Sequence, residues 1–183
     1  MRARRAKRKI IICSVGEKPY CSTVAPWNHR RKSLTEILVT DYSLPHINTT
    51  IKVYGLSREG CASSYHPGEH MKNLRAVAGD RAFLSKIGPL CGAVDEWFSV
   101  RDGEPFVCVF ACREGRHRSV AASRLWTELC RRSGFAVDGP HHLCQWNWWG
   151  CDGTCPECDV AAPSKKAFFD NFVVNLDHLD CPW

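Results

Sequence analysis

Apolar residues fall into two kinds of run along the chain, short continuous ones and longer spaced ones. Lys9 to Val15 and Glu36 to Asp41 are continuous runs bounded by polar or turn residues, and each reads as a short buried strand. Ile51 to Tyr54 is a third such run, followed by a Gly-, Ser- and His-rich loop up to Glu69. Helical spacing then takes over at Met71, Leu74 and Ala78, at Phe83, Leu84 and Ile87, and at Val94, Trp97 and Phe98, with breaks expected at Gly79 and Pro89. Pro105 to Ala111 is apolar throughout and rich in β-branched and aromatic residues, the character of a central strand covered on both faces. Ala122, Leu125, Trp126, Leu129 and Cys130 repeat at helical spacing, with Arg131 and Arg132 in the last turn and Gly134 just beyond. Phe135 to Asp138 reads as a returning strand, and Lys165 to Leu176 as a closing helix.

Alternation of short strands with helices predicts an α/β fold: a single three-layer domain with a mostly parallel sheet, plus a small Cys/Trp-rich appended module. The expected divisions are a basic tail over residues 1–9, an α/β domain over 10–142, and the module with the closing helix over 143–183. No internal repeat is visible. At 183 residues and 44% apolar content the chain can bury a sizeable core.

The net charge of +6 changes the picture less than it first promises. Arg2, Arg4, Arg5, Lys7, Arg8 and Lys9 carry six positive charges, and the remaining 19 basic residues balance 19 acidic ones. The basic run fits a solvated tail, a nuclear localisation signal or a phosphate-contacting arm. Ile10 to Cys13 is too short for the apolar core of a secretory signal, and Phe106 to Cys112 is too short to span a bilayer. The expectation is a cytoplasmic or nuclear protein with no membrane partner, whose twelve cysteines are reduced or bound to metal.

Chemistry concentrates where the central strand meets the following helix, in Cys112-Arg113-Glu114-Gly115-Arg116-His117-Arg118-Ser119. A mid-loop glycine lets backbone N–H groups turn inward, and the helix start adds its own amides and partial positive charge. Arg118 can fork onto two oxygens of an anion, and Ser119 can donate to the ligand or to the thiolate that the same field would favour at Cys112. Arg113, Arg116 and His117 complete the candidate anion-binding set. Ligands of the right kind are a phosphorylated small molecule or RNA.

The spacing Cys112-x-x-Gly115-x-x-Arg118-Ser119 resembles the phosphate loop of cysteine-dependent phosphatases, which implies Cys112 as nucleophile and Arg118 as phosphate ligand. That chemistry also needs a general acid, for which Asp80, Asp95 and Asp102 are candidates. A second resemblance covers residues 9–142. His117-Arg118-Ser119-Val120 and the loop before it are similar to the Gly-Cys-Thr-Gly-Gly-x-His-Arg-Ser-Val signature of the RapZ family's C-terminal domain. Ser14-Val15-Gly16, Asp41 to Pro45, Leu74-Arg75 with Gly79-Asp80, and His141-His142 follow in that domain's order. This resemblance implies phosphosugar and RNA binding, assembly into a homo-oligomer, and Asp41 and Arg75 as further ligand contacts. Arg113 and Glu114 stand where the family has Thr and Gly. The chain has no Gly-x-x-x-x-Gly-Lys-Ser/Thr segment, so nucleotide hydrolysis is not expected.

Composition changes abruptly at His141. Cys144, Cys151, Cys155 and Cys158 follow at spacings that can present four thiolates to one structural zinc, with His141 and His142 in reserve. Trp146, Trp148 and Trp149 either pack this module onto the sheet or offer stacking faces to unpaired bases.

Overall fold

The computed structural model describes residues 8–17, 34–54, 66–101, 103–145, 148, 150–158 and 162–176. The tail over residues 1–7, Asp102, Trp146 and Trp149 lie outside the described residues. Four strands, β1 (Lys9–Gly16), β2 (Thr49–Lys52), β3 (Phe106–Cys112) and β4 (Ala136–His142), form one sheet in the order β2-β3-β1-β4. All three pairings are parallel, so the expected α/β class holds. Among the described residues five helices lie fully in view: α1 (Leu34–Asp41), α2 (Met71–Ala78), α3 (Arg81–Val100), α4 (Arg118–Arg132) and α5 (Ala162–Leu176).

Alternation along the two central strands divides the core. Ile10 and Ile12 of β1 join Phe106, Cys108 and Phe110 of β3 under α2, α3, α4 and α5, whose Leu74, Phe83, Phe98, Trp126 and Phe172 complete that cluster. Ile11, Cys13 and Val15 join Val107, Val109 and Ala111 on the opposite face, where Leu38 of α1, Tyr42, Leu44, Ile47, Leu143 and Cys144 cover them. The three layers are therefore unequal, one thick and one thin. α5 contributes Phe169, Phe172 and Leu176 to the thick layer, so it packs with the α/β body.

Two expected elements differ. Glu36 to Asp41 is not a strand but the end of α1: Leu38 is buried whereas Glu36, Thr40 and Asp41 are exposed, a one-sided pattern that suits a helix laid on the sheet rather than a strand inside it. Pro89 does not end a helix, because α3 runs through it. Pro89 and Ser85, one turn earlier, both face solvent, where water can take the bond that proline cannot donate. Cys91 in α3 is disulfide-bonded, against the expectation of reduced thiols, while Cys13, Cys108, Cys112, Cys130, Cys144, Cys151, Cys155 and Cys158 are free. Among the described residues no helix is long and apolar enough to cross a membrane.

Among the described residues, α1, between β1 and β2 in sequence, covers the thin side, and α4, which follows β3, covers the thick side. Adjacent parallel strands whose connections leave toward opposite faces open a crevice at their carboxyl ends, the usual place for a ligand in an open α/β sheet. Here those ends are Gly16 and Cys112, which are paired in register.

Phe110, fully buried on β3 between the sheet and the thick layer, tests this core. Phe110→Ala should lower the unfolding free energy by about 3–5 kcal/mol, read as a lower urea midpoint at unchanged slope. A loss below about 1 kcal/mol would contradict the packing described.

Candidate functional site

The loop from Cys112 to Ser119 is gathered around a sulfur atom. Cys112 ends β3 with its side chain in the thick-layer core. Gly115, at φ +68°, turns its N–H back to donate to Cys112 Sγ at 3.2 Å, and Ser119 Oγ in the first turn of α4 lies 3.1 Å from the same sulfur. The loop rests directly on the end of β1. A Cβ on Gly16 would stand 2.5 Å from both Glu114 C and Gly115 N, and one on Gly115 would stand 2.4 Å from Gly16 N, so neither position has room for a side chain. His117, the N-cap of α4, makes no side-chain cap bond to the first-turn amides.

The basic residues of the loop do not converge. Arg118 donates through Nη1 to the backbone carbonyl of Tyr54, beyond the end of β2. Arg113 is exposed at the rim, 3.8 Å from the Glu114 carboxylate. Arg116 is 3% exposed; burial lowers its pKa while the charge of Cys151 opposes that shift. His117 is pushed down to about 4 by burial and by the charge of Arg116, against the opposing effect of a hydrogen bond to the His66 backbone, so its ring is neutral at physiological pH. Cys112, Gly115 and Ser119 thus meet at the floor of the loop, and Arg116 and His117 face away from it. Asp41 ends α1 in solvent, on the thin side, with its carboxylate bonded to Thr40 Oγ1 at 2.7 Å. Arg75 is exposed on α2. The structure brings neither into contact with Cys112.

A second cluster lies beside the loop. His66 Nδ1 is 3.5 Å from Cys155 Sγ and 3.4 Å from Cys158 Sγ, Cys151 Sγ is 3.7 Å from Cys158 Sγ, and one ligand atom from each of the four falls within 4.8 Å of the others. This Cys3His cluster can hold a metal ion. Gly153 N–H donates to Cys151 Sγ at 3.3 Å, and the far ring nitrogen of His66, Nε2, lies 3.0 Å from a Glu157 carboxylate oxygen. A carboxylate in that position fixes a ligating imidazole in the tautomer that leaves Nδ1 open to a metal. The expected ligand set is corrected at one place: Cys144 is not in the cluster, because its sulfur accepts the Gly16 N–H at 3.2 Å within the thin-side core. His66 takes the fourth position. His141 binds Asp138 and His142 binds Ser14 and Glu69, so neither reserve histidine is used.

The sequence offered little sign of His66. It sits 85 residues before Cys151, and its one local cue is the turn His66-Pro67-Gly68-Glu69-His70. A half-buried polar relay was also missed: Ser14 Oγ lies 2.7 Å from His142 Nδ1, and His142 Nε2 lies 3.4 Å from Glu69, which faces Arg124 at 3.7 Å. Hydroxyl, imidazole and carboxylate stand in the order of a hydrolytic triad, yet Ser14 is fully buried within β1 and cannot meet a substrate. The relay instead ties the segment before α2 to the carboxyl end of β4.

Comparison with protein families, curated proteins and solved structures finds no match. The site is therefore read from its own chemistry.

Burial opposes ionisation of Glu69, but the hydrogen bond from His142 and the charges of Arg124 and His142 hold its pKa below the ordinary value. A carboxyl depressed in the folded state stabilises the fold above its unfolded pKa and loses that contribution as pH falls through the folded one. Wild type should therefore lose stability toward acid more steeply than Glu69→Gln. Thermal unfolding across pH 3–6 checks this, and parallel acid limbs would contradict it.

Proposed function

We propose that this domain binds a phosphorylated ligand, a phosphosugar or an RNA phosphate, at the loop between β3 and α4, and that a structural zinc ion at His66, Cys151, Cys155 and Cys158 supports it. The observation that carries the first half is the double approach to Cys112 Sγ by the Gly115 N–H and the Ser119 hydroxyl, at the switch point of a parallel sheet. A loop whose donors turn inward on an electron-rich atom has an interior that favours oxyanions, and the start of α4 adds its dipole to the same place. Arg113 is exposed beside Glu114, and Arg118 directly precedes Ser119 at the start of α4. The resemblance to the RapZ C-terminal domain supports the same reading through Cys112, Gly115 and the His117-Arg118-Ser119-Val120 run.

The same contacts favour one second reading, a cysteine-dependent phosphatase. Hydroxyl and amide donors on Sγ would stabilise a thiolate nucleophile at Cys112. Binding is preferred because Asp80, one of the three general-acid candidates, already uses its carboxylate to cap α3, accepting from Ala82 N at 2.8 Å and Phe83 N at 3.2 Å.

A binding screen by thermal shift with inorganic phosphate, a hexose phosphate and a short single-stranded RNA separates these readings when run beside an aryl phosphate hydrolysis assay. The binding reading expects a ligand-dependent rise in Tm that Ser119→Ala weakens about tenfold in affinity, with no turnover by wild type or by Cys112→Ser. Turnover that Cys112→Ser abolishes would establish the phosphatase. No shift with any of the three would end both.

Zinc is favoured by the donor set and by the spacing. A tetrahedral ion at about 2.3 Å from sulfur and about 2.05 Å from nitrogen requires edges of about 3.8 Å between sulfurs and about 3.6 Å from nitrogen to sulfur. The 3.7 Å and 3.4–3.5 Å separations match these edges. Purified protein should carry one zinc per chain, and Cys155→Ser should abolish its retention while Cys144→Ser keeps it. Equal loss in both variants would contradict this ligand set.

A further inference from the structure

The metal cluster and the anion loop share backbone contacts that serve no purpose in either alone. Gly68 N–H donates to the Arg116 carbonyl at 2.8 Å. A Cβ on Gly68 would stand 2.2 Å from His117 O and 2.5 Å from Ala121 N, so the turn that follows His66 lies flush against the start of α4. From the other arm, Trp148 Nε1 donates to the Gly115 carbonyl at 3.3 Å. Gly153 then closes the circle, packing against Pro67, Glu69 and Trp148.

Among the described residues, the two arms, 66–70 and 148 with 150–158, contain neither strand nor helix of their own. Little but the cluster ties one to the other: weak thiol contacts, the His66–Glu157 pair and the packing of Gly153. A metal ion replaces those contacts with four coordinate bonds across a gap of more than 80 residues of chain, where closure is otherwise entropically costly. Charge points the same way. Three thiolates and one neutral imidazole around a divalent ion would leave a net charge of about −1, and the charge of Cys151 acts on the buried Arg116 of the anion loop.

We propose that metal occupancy sets the conformation of the anion loop: an ion at His66, Cys151, Cys155 and Cys158 clamps Gly68 and Trp148 onto the backbone of residues 115–117, and its loss releases that backbone. The consequence for ligand affinity rests on the phosphate-binding reading; the conformational coupling does not. If both hold, zinc and phosphate bind with positive linkage, each tightening the other by the same factor.

Hydrogen exchange on the full chain, zinc-loaded and after chelation, tests the coupling without any ligand. Amides of residues 113–118 should exchange about tenfold faster or more without zinc, recovering when zinc is restored, while those of β3 keep their protection. Protection at 113–118 that ignores zinc, or a chain that takes up no zinc, overturns the proposal. Should the chelated protein unfold throughout, Trp148→Phe decides. With zinc content unchanged it should still speed exchange at 113–118, and unaltered exchange there overturns the proposal. Titration with inorganic phosphate separates the two readings. Zinc-dependent exchange with no phosphate binding sinks the ligand and leaves the clamp, whereas phosphate binding of equal strength with and without zinc sinks the clamp and leaves the ligand.

Discussion

The parallel pairing of β1 with β3 is the constraint from which the rest follows. Both strands are buried on both faces, so their register cannot slip by one residue without moving every side chain to the wrong layer. That register ends with Gly16 opposite Cys112. The last residue of β1 must therefore lie under the loop that leaves β3, and the loop can close there only because Gly16 and Gly115 both lack a Cβ. The sulfur at the floor of the loop, the hydroxyl of Ser119 and the inward amide of Gly115 are consequences of one strand pair ending flush.

Around this floor three polar arrangements use buried groups without overlapping. Cys144 takes the Gly16 amide from the thin side, Ser14, His142 and Glu69 link β1 and β4 to the turn before α2, and His66 with three cysteines joins that turn to the segment after β4. Each satisfies polar groups that burial would otherwise leave at a cost of about 1–3 kcal/mol apiece. Two of them bring backbone against the loop, Gly16 beneath it and Gly68 beside it. A loop so held has paid its ordering entropy before a ligand arrives, which is the condition for tight recognition of a small anion.

What the sequence made legible was what repeats or clusters within a short window. The strand Phe106–Cys112, the helix Arg118–Arg132 and the loop between them followed from period and from residue type. Glu36 to Asp41 misled because Ile37, Leu38 and Val39 are as apolar as a strand, while the exposed flank that makes a helix of them is visible only once the sheet is complete. The metal cluster was half legible. Cys151, Cys155 and Cys158 are close in sequence, but Cys144 shares their composition and not their place, and His66 arrives from a distant turn by tertiary packing. The arginines show the same limit: position in a motif fixes where Cα lies, whereas Arg116 and Arg118 are aimed by neighbours the motif does not contain.

Those directions bear on which phosphate the loop would prefer. With His117 neutral, Arg116 buried, Arg118 bonded to the Tyr54 carbonyl and Glu114 set against Arg113, the loop offers an incoming anion little free positive charge. A polyanion such as RNA is attracted chiefly by accumulated charge, through counterion release that grows with each phosphate neutralised. Amide and hydroxyl donors at a helix start act at short range and reward one compact group that fits between them. The balance of donors over net charge thus argues for a phosphomonoester on a small molecule, with RNA the weaker candidate unless the basic run at residues 2–9 supplies the charge that the loop itself does not.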